Sequence, residues 1–324
     1  MRHLALASAL ASALALLGCS SSPKPATTPP DPSAGGGDPA AGTGGTGGTG
    51  AGAGMTADAA PKKEAPPPPP DTGGYRLVPP SALKWAPVDP SNAAGPELAI
   101  VTGDLQKGGG FFLKLPAGFK PPLHTHTADY HAVVISGAPK HWIAGEEKKA
   151  QLLGLGSYWF QPGGQPHGDE CPGKEPCLLY IVVMGGFDFT PTPNAKPVKP
   201  EKYFLKARKD LKFAPADPKQ PDGVKLAIVS GDPKVGPVAY MVELPPGLNA
   251  GLHSHTSEYH ALVVEGAPAH WLPHERGEGE PVPTGTYWFQ PGGYDHGDRC
   301  TSTAPCRAFV MMPKALDVKP PAKK

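Results

Sequence analysis

The stretch Pro121-Pro-Leu-His124-Thr-His126-Thr-Ala-Asp-Tyr130-His131 returns almost unchanged as Leu252-His253-Ser-His255-Thr-Ser-Glu-Tyr259-His260. In both copies an apolar run follows and ends at a glycine, Gly137 or Gly266. Side chains alternate between the two faces of a β-strand, so a His-x-His pair directs both imidazoles to one face. This geometry suits a metal chelate or a paired acid/base site, and the chain carries it twice.

An internal duplication surrounds the two histidine pairs. Leu98-Ala-Ile-Val-Thr-Gly-Asp104 recurs as Leu226-Ala-Ile-Val-Ser-Gly-Asp232, and from Pro116 and Pro245 onward the copies keep a constant offset of 129 residues. Five pairs of histidines share this offset: His124 with His253, His126 with His255, His131 with His260, His141 with His270, and His167 with His296. Each copy is long enough for one small core, so we predict two similar domains.

The pattern within each copy predicts an all-β fold. Short apolar runs rich in β-branched and aromatic residues, such as 132–135 and 178–184, are separated by Gly and Pro turns at close intervals. Long helical periodicity is lacking, and only the segment 203–212 is predicted as a short connecting helix. Many short antiparallel strands in a compact unit indicate a sandwich or a barrel.

The first 18 residues have the pattern of an export signal. Arg2 precedes an Ala/Leu run over 4–17 that is too short to span a bilayer as a stable helix. The sequence Leu16-Leu17-Gly18-Cys19 resembles the bacterial lipoprotein box, which implies cleavage and lipidation of Cys19. By the same resemblance, Ser20 favours the outer membrane if the organism has one. An ordinary secretory signal with a chance cysteine is the alternative.

We therefore divide the chain into a signal peptide (1–18), a disordered linker (19–74) and two domains (75–200 and 201–324), with 189–200 joining the domains. The linker is built from Ser, Pro, Gly, Thr and Ala with almost no large apolar side chains, as in a flexible tether. Thirty Lys and Arg against 29 Asp and Glu leave the chain nearly neutral, which argues against a nucleic-acid partner. The expected partners are a membrane, reached through the lipid on Cys19, and an unknown small molecule in the cell envelope.

Four cysteines remain besides Cys19, in two close pairs: Cys171 with Cys177, and Cys300 with Cys306. In an oxidising compartment, two local disulfides are the simple interpretation. A cysteine metal site is the alternative.

Two motifs in each copy resemble those of the cupin superfamily. Gly118-x5-His124-x-His126-x3-Tyr130-x6-Gly137 resembles the first motif, and Gly156-x5-Pro162-x-Gly164-x2-His167-x3-Cys171 resembles the second. The matching residues of the second copy are Gly247, His253, His255, Tyr259, Gly266, Gly285, Pro291, Gly293, His296 and Cys300. The chain thus looks like a bicupin, similar to uncharacterised ChrR-like cupin families. This implies two tandem cupin β-barrels (RmlC-like jelly rolls) after the tether.

The resemblance also implies a metal site in each barrel. Its ligands would be His124, His126 and His167 in the first copy, and His253, His255 and His296 in the second. Three imidazoles suit Fe(II), Zn, Mn, Ni or Cu.

The family usually places a glutamate where this chain has Tyr130 and Tyr259. A site of three histidines with the tyrosine nearby is one outcome. Strand alternation turns His131 and His260 away from it, unless a bulge aims them inward as fourth ligands. A carboxylate ligand from Asp129 or Glu258, or no metal at all, are the others.

Further matched pairs have less specific roles. His141 and His270 could line a pocket mouth or be structural. Asp169 and Asp298 could hold an imidazole in place or lie in surface turns. The aromatic residues at 158–160 and 287–289 are expected in the core, while Gln161 and Gln290 could bond inside the cavity.

Fold and site do not define the reaction, because cupins support many chemistries. The resemblance implies metal-dependent dioxygenation or isomerisation of a small molecule, with Tyr130 or Tyr259 donating a hydrogen bond to oxygen or substrate. The alternative is a lipoprotein that binds or senses a small molecule or metal without turnover.

Overall fold

The structure of the chain, a computed structural model, describes residues 74–275 and 277–321. The predicted signal peptide, Cys19 and all but the last residue of the predicted linker lie outside these ranges. Over the described ranges, none of the helices has the length and apolar character to cross a membrane.

Strands and short turns make up the described chain. The first half contains β1 (Arg76–Val78), β2 (Ala86–Pro87), β3 (Glu97–Asp104), β4 (Gly108–Leu115), β5 (His124–Thr125), β6 (Tyr130–Ser136), β7 (Lys140–Ile143), β8 (Tyr158–Gln161), β9 (His167–Glu170), β10 (Cys177–Val183) and β11 (Thr190–Pro191). The second half contains β12 (Phe204–Lys206), β13 (Ala214–Pro215), β14 (Lys225–Gly231), β15 (Val238–Leu244), β16 (Asn249–His253), β17 (Tyr259–Glu265), β18 (Pro268–Trp271), β19 (Tyr287–Gln290), β20 (His296–Cys300) and β21 (Cys306–Met312). Within the described ranges, 3-10 turns occur at Pro80–Ala82, Glu147–Lys149 and Arg208–Asp210.

Each half forms a large sheet and a small sheet. The first barrel has the sheets β12-β8-β6-β10-β4-β3-β2 and β11-β5-β9-β7, and the second has β1-β19-β17-β21-β15-β14-β13 and β16-β20-β18. Every strand pair is antiparallel. The predicted all-β fold of two tandem jelly-roll barrels is confirmed.

The two barrels exchange edge strands. β1, at the start of the described chain, pairs with β19 of the second barrel, whereas β12, between the halves, pairs with β8 of the first. The helix predicted over 203–212 is therefore wrong: this segment is strand β12 followed by a 3-10 turn. Pairing at the sheet edge overrides the local helical propensity, because β8 provides hydrogen-bond partners for the backbone of β12. The rings of Phe204 and Phe160 also pack together, with centroids 5.6 Å apart.

Three apolar clusters explain why the central strands are buried on both faces. One cluster lies inside each barrel, and a third lies between the two large sheets. In the third, Tyr158 lies 5.8 Å from Phe309, and Tyr180 lies 6.0 Å from Tyr287. Strands covered on both faces show continuous apolar runs rather than strict alternation, as β6 and β17 do.

Both predicted disulfides are present. Cys171 bonds to Cys177 with a Cα–Cα distance of 5.9 Å, and Cys300 bonds to Cys306 at 5.5 Å. Each closes the loop that leads into the last long strand of its barrel. In the chain-entropy picture each contributes roughly 2–3 kcal/mol. The disulfides exclude the alternative in which these sulfurs bind metal.

Candidate metal centres

The first histidine cluster forms where β5 pairs with β9, because His124 and His167 are register partners. His126 lies two residues beyond His124 and points to the same place. The three ring centroids are 4.3 to 5.2 Å apart, all three residues are buried, and their ligand nitrogens lie within 4.8 Å of one another. The structure thus brings together the three predicted ligands of the first barrel.

The second barrel repeats this arrangement closely. His253 and His296 are register partners of β16 and β20. Their rings are 4.4 Å apart, and His255 lies 5.2 and 5.3 Å from them. The ligand nitrogens again fall within 4.8 Å of one another.

In all six imidazoles Nδ1 forms a hydrogen bond with a backbone carbonyl. The acceptors are the carbonyl oxygens of Pro122, Asp188, Gln165, Gly251, Asp317 and Tyr294. A carbonyl oxygen can only accept, so Nδ1 carries the proton and Nε2 keeps its lone pair. Such partners fix the ring orientation and make the ligand more basic. The six Nε2 atoms are thus prepared to bind metal.

Burial favours the uncharged form of four of these rings, those of His126, His167, His255 and His296. It lowers the pKa of His126 from 6.5 to about 4, assisted by the charge of His124. It likewise lowers the pKa of His296 to about 3 and holds the pKa of His167 well below its ordinary value. Because a neutral imidazole is the form that binds metal, His126, His167 and His296 need no deprotonation at neutral pH. Both donor sets therefore fit a divalent transition metal.

The tyrosine in the glutamate slot lies beside each cluster. The Tyr130 hydroxyl is 3.3 Å from His167 Nε2 and accepts from Trp159 Nε1 at 3.4 Å. Tyr259 contacts His296 Nε2 at 3.1 Å. Burial, followed by the nearby aspartate, raises the pKa of each phenol well above its ordinary value. Both hydroxyls therefore stay protonated and can donate.

His131 and His260, the candidate fourth ligands, point away from the clusters. His131 Nδ1 lies 2.6 Å from the Tyr158 hydroxyl, and His260 Nδ1 lies 2.7 Å from that of Tyr287. Alternation along β6 and β17 puts these imidazoles on the face where the barrels pack against each other. This placement corrects the hypothesis of an imidazole fourth ligand.

The carboxylates beside the tyrosines do not reach the clusters either. Asp129 accepts a hydrogen bond from the backbone N–H of Gly163 at 2.7 Å, and Glu258 is exposed. A Cβ on Gly163 would lie 2.3 Å from the carbonyl oxygen of Thr127, so only glycine allows this approach. Asp129 thus stabilises the turn that carries the chain from β8 to β9 and delivers His167.

The carboxylate that does reach each cluster is Asp169 or Asp298. Asp169 Oδ1 bonds His141 Nδ1 at 2.7 Å, and its Oδ2 lies 3.4 Å from His124 Nε2. Burial alone would raise the pKa of this carboxyl, but the charge and hydrogen bond of His141 and the contact with His124 hold it well below its usual range. Of the two predicted roles, partner of an imidazole is the one realised.

In the second copy Asp298 binds His270 at 2.8 Å and lies 3.6 and 3.8 Å from the Nε2 atoms of His253 and His296. Ligand atoms about 2.1 Å from a shared metal are separated by roughly 3.0–3.5 Å. Only a small shift would bring this carboxylate oxygen into such a position.

The other predicted polar residues support this aspartate. His141 and His270 lie inside the barrels rather than at a pocket mouth: their Nε2 atoms are 3.1 Å from the side-chain oxygens of Gln161 and Gln290. Their rings stack on Trp159 and Trp288, which lie in the core as predicted.

Two supporting aspartates escaped the sequence reasoning. The Asp188 carboxylate accepts from the backbone N–H of Thr127 at 2.6 Å, and its carbonyl accepts from His126. Asp317 does the same for Thr256 and His255. The shared offset of 129 residues was the available signal. The predicted connector 189–200 also serves the site, because β11 pairs with β5.

Two tyrosines from the exchanged strands were also missed. Tyr75, just before β1, stacks on His270 at 5.4 Å, and Tyr203, just before β12, lies 5.7 Å from His141. An aromatic ring next to an exchanged edge strand thus flanks each site: Tyr75 beside β1 flanks the second site, and Tyr203 beside β12 flanks the first. Only the strand exchange could reveal this.

The two clusters differ in their apolar cover. In the first barrel Phe187 stacks on His126 at 4.7 Å and Phe189 on His124 at 4.4 Å. The same positions of the second barrel hold Leu316 and Val318. There, a cavity of 660 Å³ reaches the histidine cluster.

Solved structures share this fold at low sequence identity. A candidate dioxygenase from Nostoc punctiforme PCC 73102 matches with a TM-score of 0.61 and 16% identity, over 77% of this chain and 87% of that one. An oxalate decarboxylase matches with a TM-score of 0.50 and 15% identity, over 74% and 77%. At such identities the likeness establishes the cupin fold alone.

No functionally curated protein matches the sequence. Residues 80–318, which include both clusters, match the family described as "Domain of unknown function (DUF4437)". The chain therefore belongs to the DUF4437 family.

Proposed function

We propose that this protein is an exported, membrane-anchored bicupin that binds a divalent transition metal in each barrel and acts on a small molecule as a dioxygenase or isomerase. One observation carries the metal sites: in each barrel three Nε2 lone pairs converge, and every Nδ1 is already bonded to a carbonyl. Burying three imidazoles costs more free energy than packing apolar side chains in the same place. This cost favours a metal-binding role over a purely structural one.

A bound metal would supply a Lewis-acid or redox centre. The protein's own part is then clear in the second barrel. Tyr259 holds a proton close to His296 Nε2 and can donate it as a hydrogen bond to a substrate at the cluster. The Asp298 carboxylate, held by His270 at 2.8 Å, stays ionised beside the same cluster.

The fold analogy supports this class of chemistry, since one neighbour is a candidate dioxygenase and another an oxalate decarboxylase. Kinship with the ChrR-like cupins is the finer proposal, resting on the motif resemblance.

Export and lipidation of Cys19 remain part of the proposal, with domains 75–200 and 201–324 held away from a cell-envelope membrane by the linker. The two disulfides support an oxidising compartment. Replacing Cys19 with serine should move the protein from the membrane fraction to the soluble fraction, and unchanged membrane association would contradict the anchor.

A non-catalytic binding or sensor protein is the second candidate. The preservation of both complete polar sites favours it, because a duplicated enzyme can lose one site without losing its reaction.

The deciding experiment compares metal content and oxygen uptake of the Fe(II)-loaded full chain over a panel of small molecules. His126→Ala and His255→Ala should each remove about one metal, while exposed His274→Ala, the matched control, should remove none. Metal content unaffected by both cluster variants would contradict the metal sites. Saturable binding without uptake or rearranged product would favour the sensor.

A further inference from the structure

The cavity of the second barrel exists because its walls carry smaller side chains than those of the first. Leu179, Phe187 and Phe189 of the first barrel correspond to Ala308, Leu316 and Val318 of the second. The latter three line the cavity, together with His253, His255 and Tyr259. The difference reaches the metal ligands, since the His124 side chain is 3% exposed and that of His253 is 14% exposed.

Away from the histidines, the wall is mainly apolar. Leu226, Val242, Leu244, Leu248 and Val310 line it. Asp217, Asp298 and Asp317 are the carboxylates of the described lining.

Arg307 is the only arginine or lysine in the described lining, and its guanidinium is already bound. It donates to Glu243 at 2.6 and 2.8 Å and to Glu265 at 2.5 Å. Alternation along β21 places these groups on the opposite face from Ala308 and Val310, which belong to the core inside the barrel. Within the described lining, no arginine or lysine is therefore free to bind a second anionic group.

We propose that the second barrel is the substrate site and takes a molecule with one metal-binding oxygen group and an apolar body. This inference rests on the proposed function. The oxygen group would lie at the histidine cluster, beside Tyr259. The apolar body would fill the space that Phe187, Phe189 and Leu179 fill in the first barrel. A second charged end is selected against, because burying a charge without a partner is costly.

The test uses the Zn(II)-loaded full chain and two ligands that share one skeleton, 2-naphthoate and naphthalene-2,6-dicarboxylate. The diacid has the same group at either end, so reversing it does not hide the second charge. Calorimetric titration should give a dissociation constant at least about tenfold lower for the monoacid, as about 1.4 kcal/mol separates tenfold affinities.

Exchanging the cover between the barrels locates the site. Leu316→Phe/Val318→Phe should abolish naphthoate binding, whereas Phe187→Leu/Phe189→Val should keep it. If the first of these unfolds, Ala308→Leu fills the same cavity with the residue of the first barrel and should weaken binding at least fivefold.

Zinc content of the same samples separates the two proposals. A chain that holds no zinc overturns the proposed function and this inference with it. A zinc-loaded chain that prefers the diacid, binds neither ligand, or binds equally after the cavity is filled overturns this inference alone.

Discussion

The two barrels have the same polar centre in different apolar surroundings. The three histidines, their carbonyl partners, the tyrosine and the Asp–His pair recur in both copies with nearly the same distances. The apolar residues around them differ, and in the second copy smaller side chains line a cavity that reaches the centre. The polar centre and the space beside it are therefore determined by different sets of residues.

Lowering the pH should have the largest effect on the two barrels, as a loss of folding stability. Burial lowers the pKa of His126 to about 4, so below pH 6.5 the unfolded chain takes up a proton that the folded chain does not. Stability is thus full above pH 6.5 and falls as the pH drops toward 4, by on the order of 3 kcal/mol from His126 alone. Thermal melts of chelator-treated protein from pH 7 to 4 should show this loss.

The barrels should respond to acid together, because a shared apolar cluster joins their large sheets. Two separate transitions, with one barrel melting well before the other, would break the comparison. Adding Zn(II) at pH 7 should raise the melting temperature, since a ligand of the folded state stabilises it.

Removal of one metal ligand should come next in size. His167→Ala and His296→Ala should each weaken one site by more than about 100-fold, because loss of an outer partner alone costs about 10- to 100-fold. Elemental analysis should find one metal fewer in each variant. Loss of both metals from a single variant would show that the sites are not independent.

The aspartate beside each cluster should have a smaller effect. Asp169→Asn and Asp298→Asn are expected to weaken metal binding at their own site by about 10- to 100-fold, as for partners that orient ligands. Competition with a chromophoric chelator measures this. Asp217→Asn, at the cavity wall, is the control and should change nothing. A much larger effect of Asp298→Asn than of Asp169→Asn would indicate that Asp298 binds the metal directly.

Replacing the tyrosines next to the exchanged strands β1 and β12 should have the smallest effect on metal binding. Each replacement should affect the barrel with which that strand pairs. Tyr75→Leu should weaken the second site and Tyr203→Leu the first, each by about 2- to 5-fold, since an aromatic contact contributes about 0.5–1 kcal/mol. The same competition assay resolves the two sites if the other carries a His→Ala change. Weakening of the first site by Tyr75→Leu, or of the second by Tyr203→Leu, would contradict the role of these rings.

Much of the site was predictable from the sequence because its signals are local or repeated. His124 and His126 are one strand period apart, and the Cys171–Cys177 pair is close along the chain. Asp169 was recognised as a candidate, but its role depended on whether His141 lay opposite it on β7. The segment 203–212 was predicted wrongly because a sheet edge outside its own neighbourhood determines its structure.

The amino-acid sequence by itself determined the duplication, the all-β class, the histidine pairs on one strand face and the close cysteine pairs that form the disulfides. Periodicity, spacing and a constant offset encode all of these. Tertiary structure alone decided that His131 turns away, that Asp188 and Tyr75 support histidines distant in sequence, and that one centre is covered while the other is open. Those properties depend on which side chains from separate strands meet in space, and packing of the whole barrel settles that.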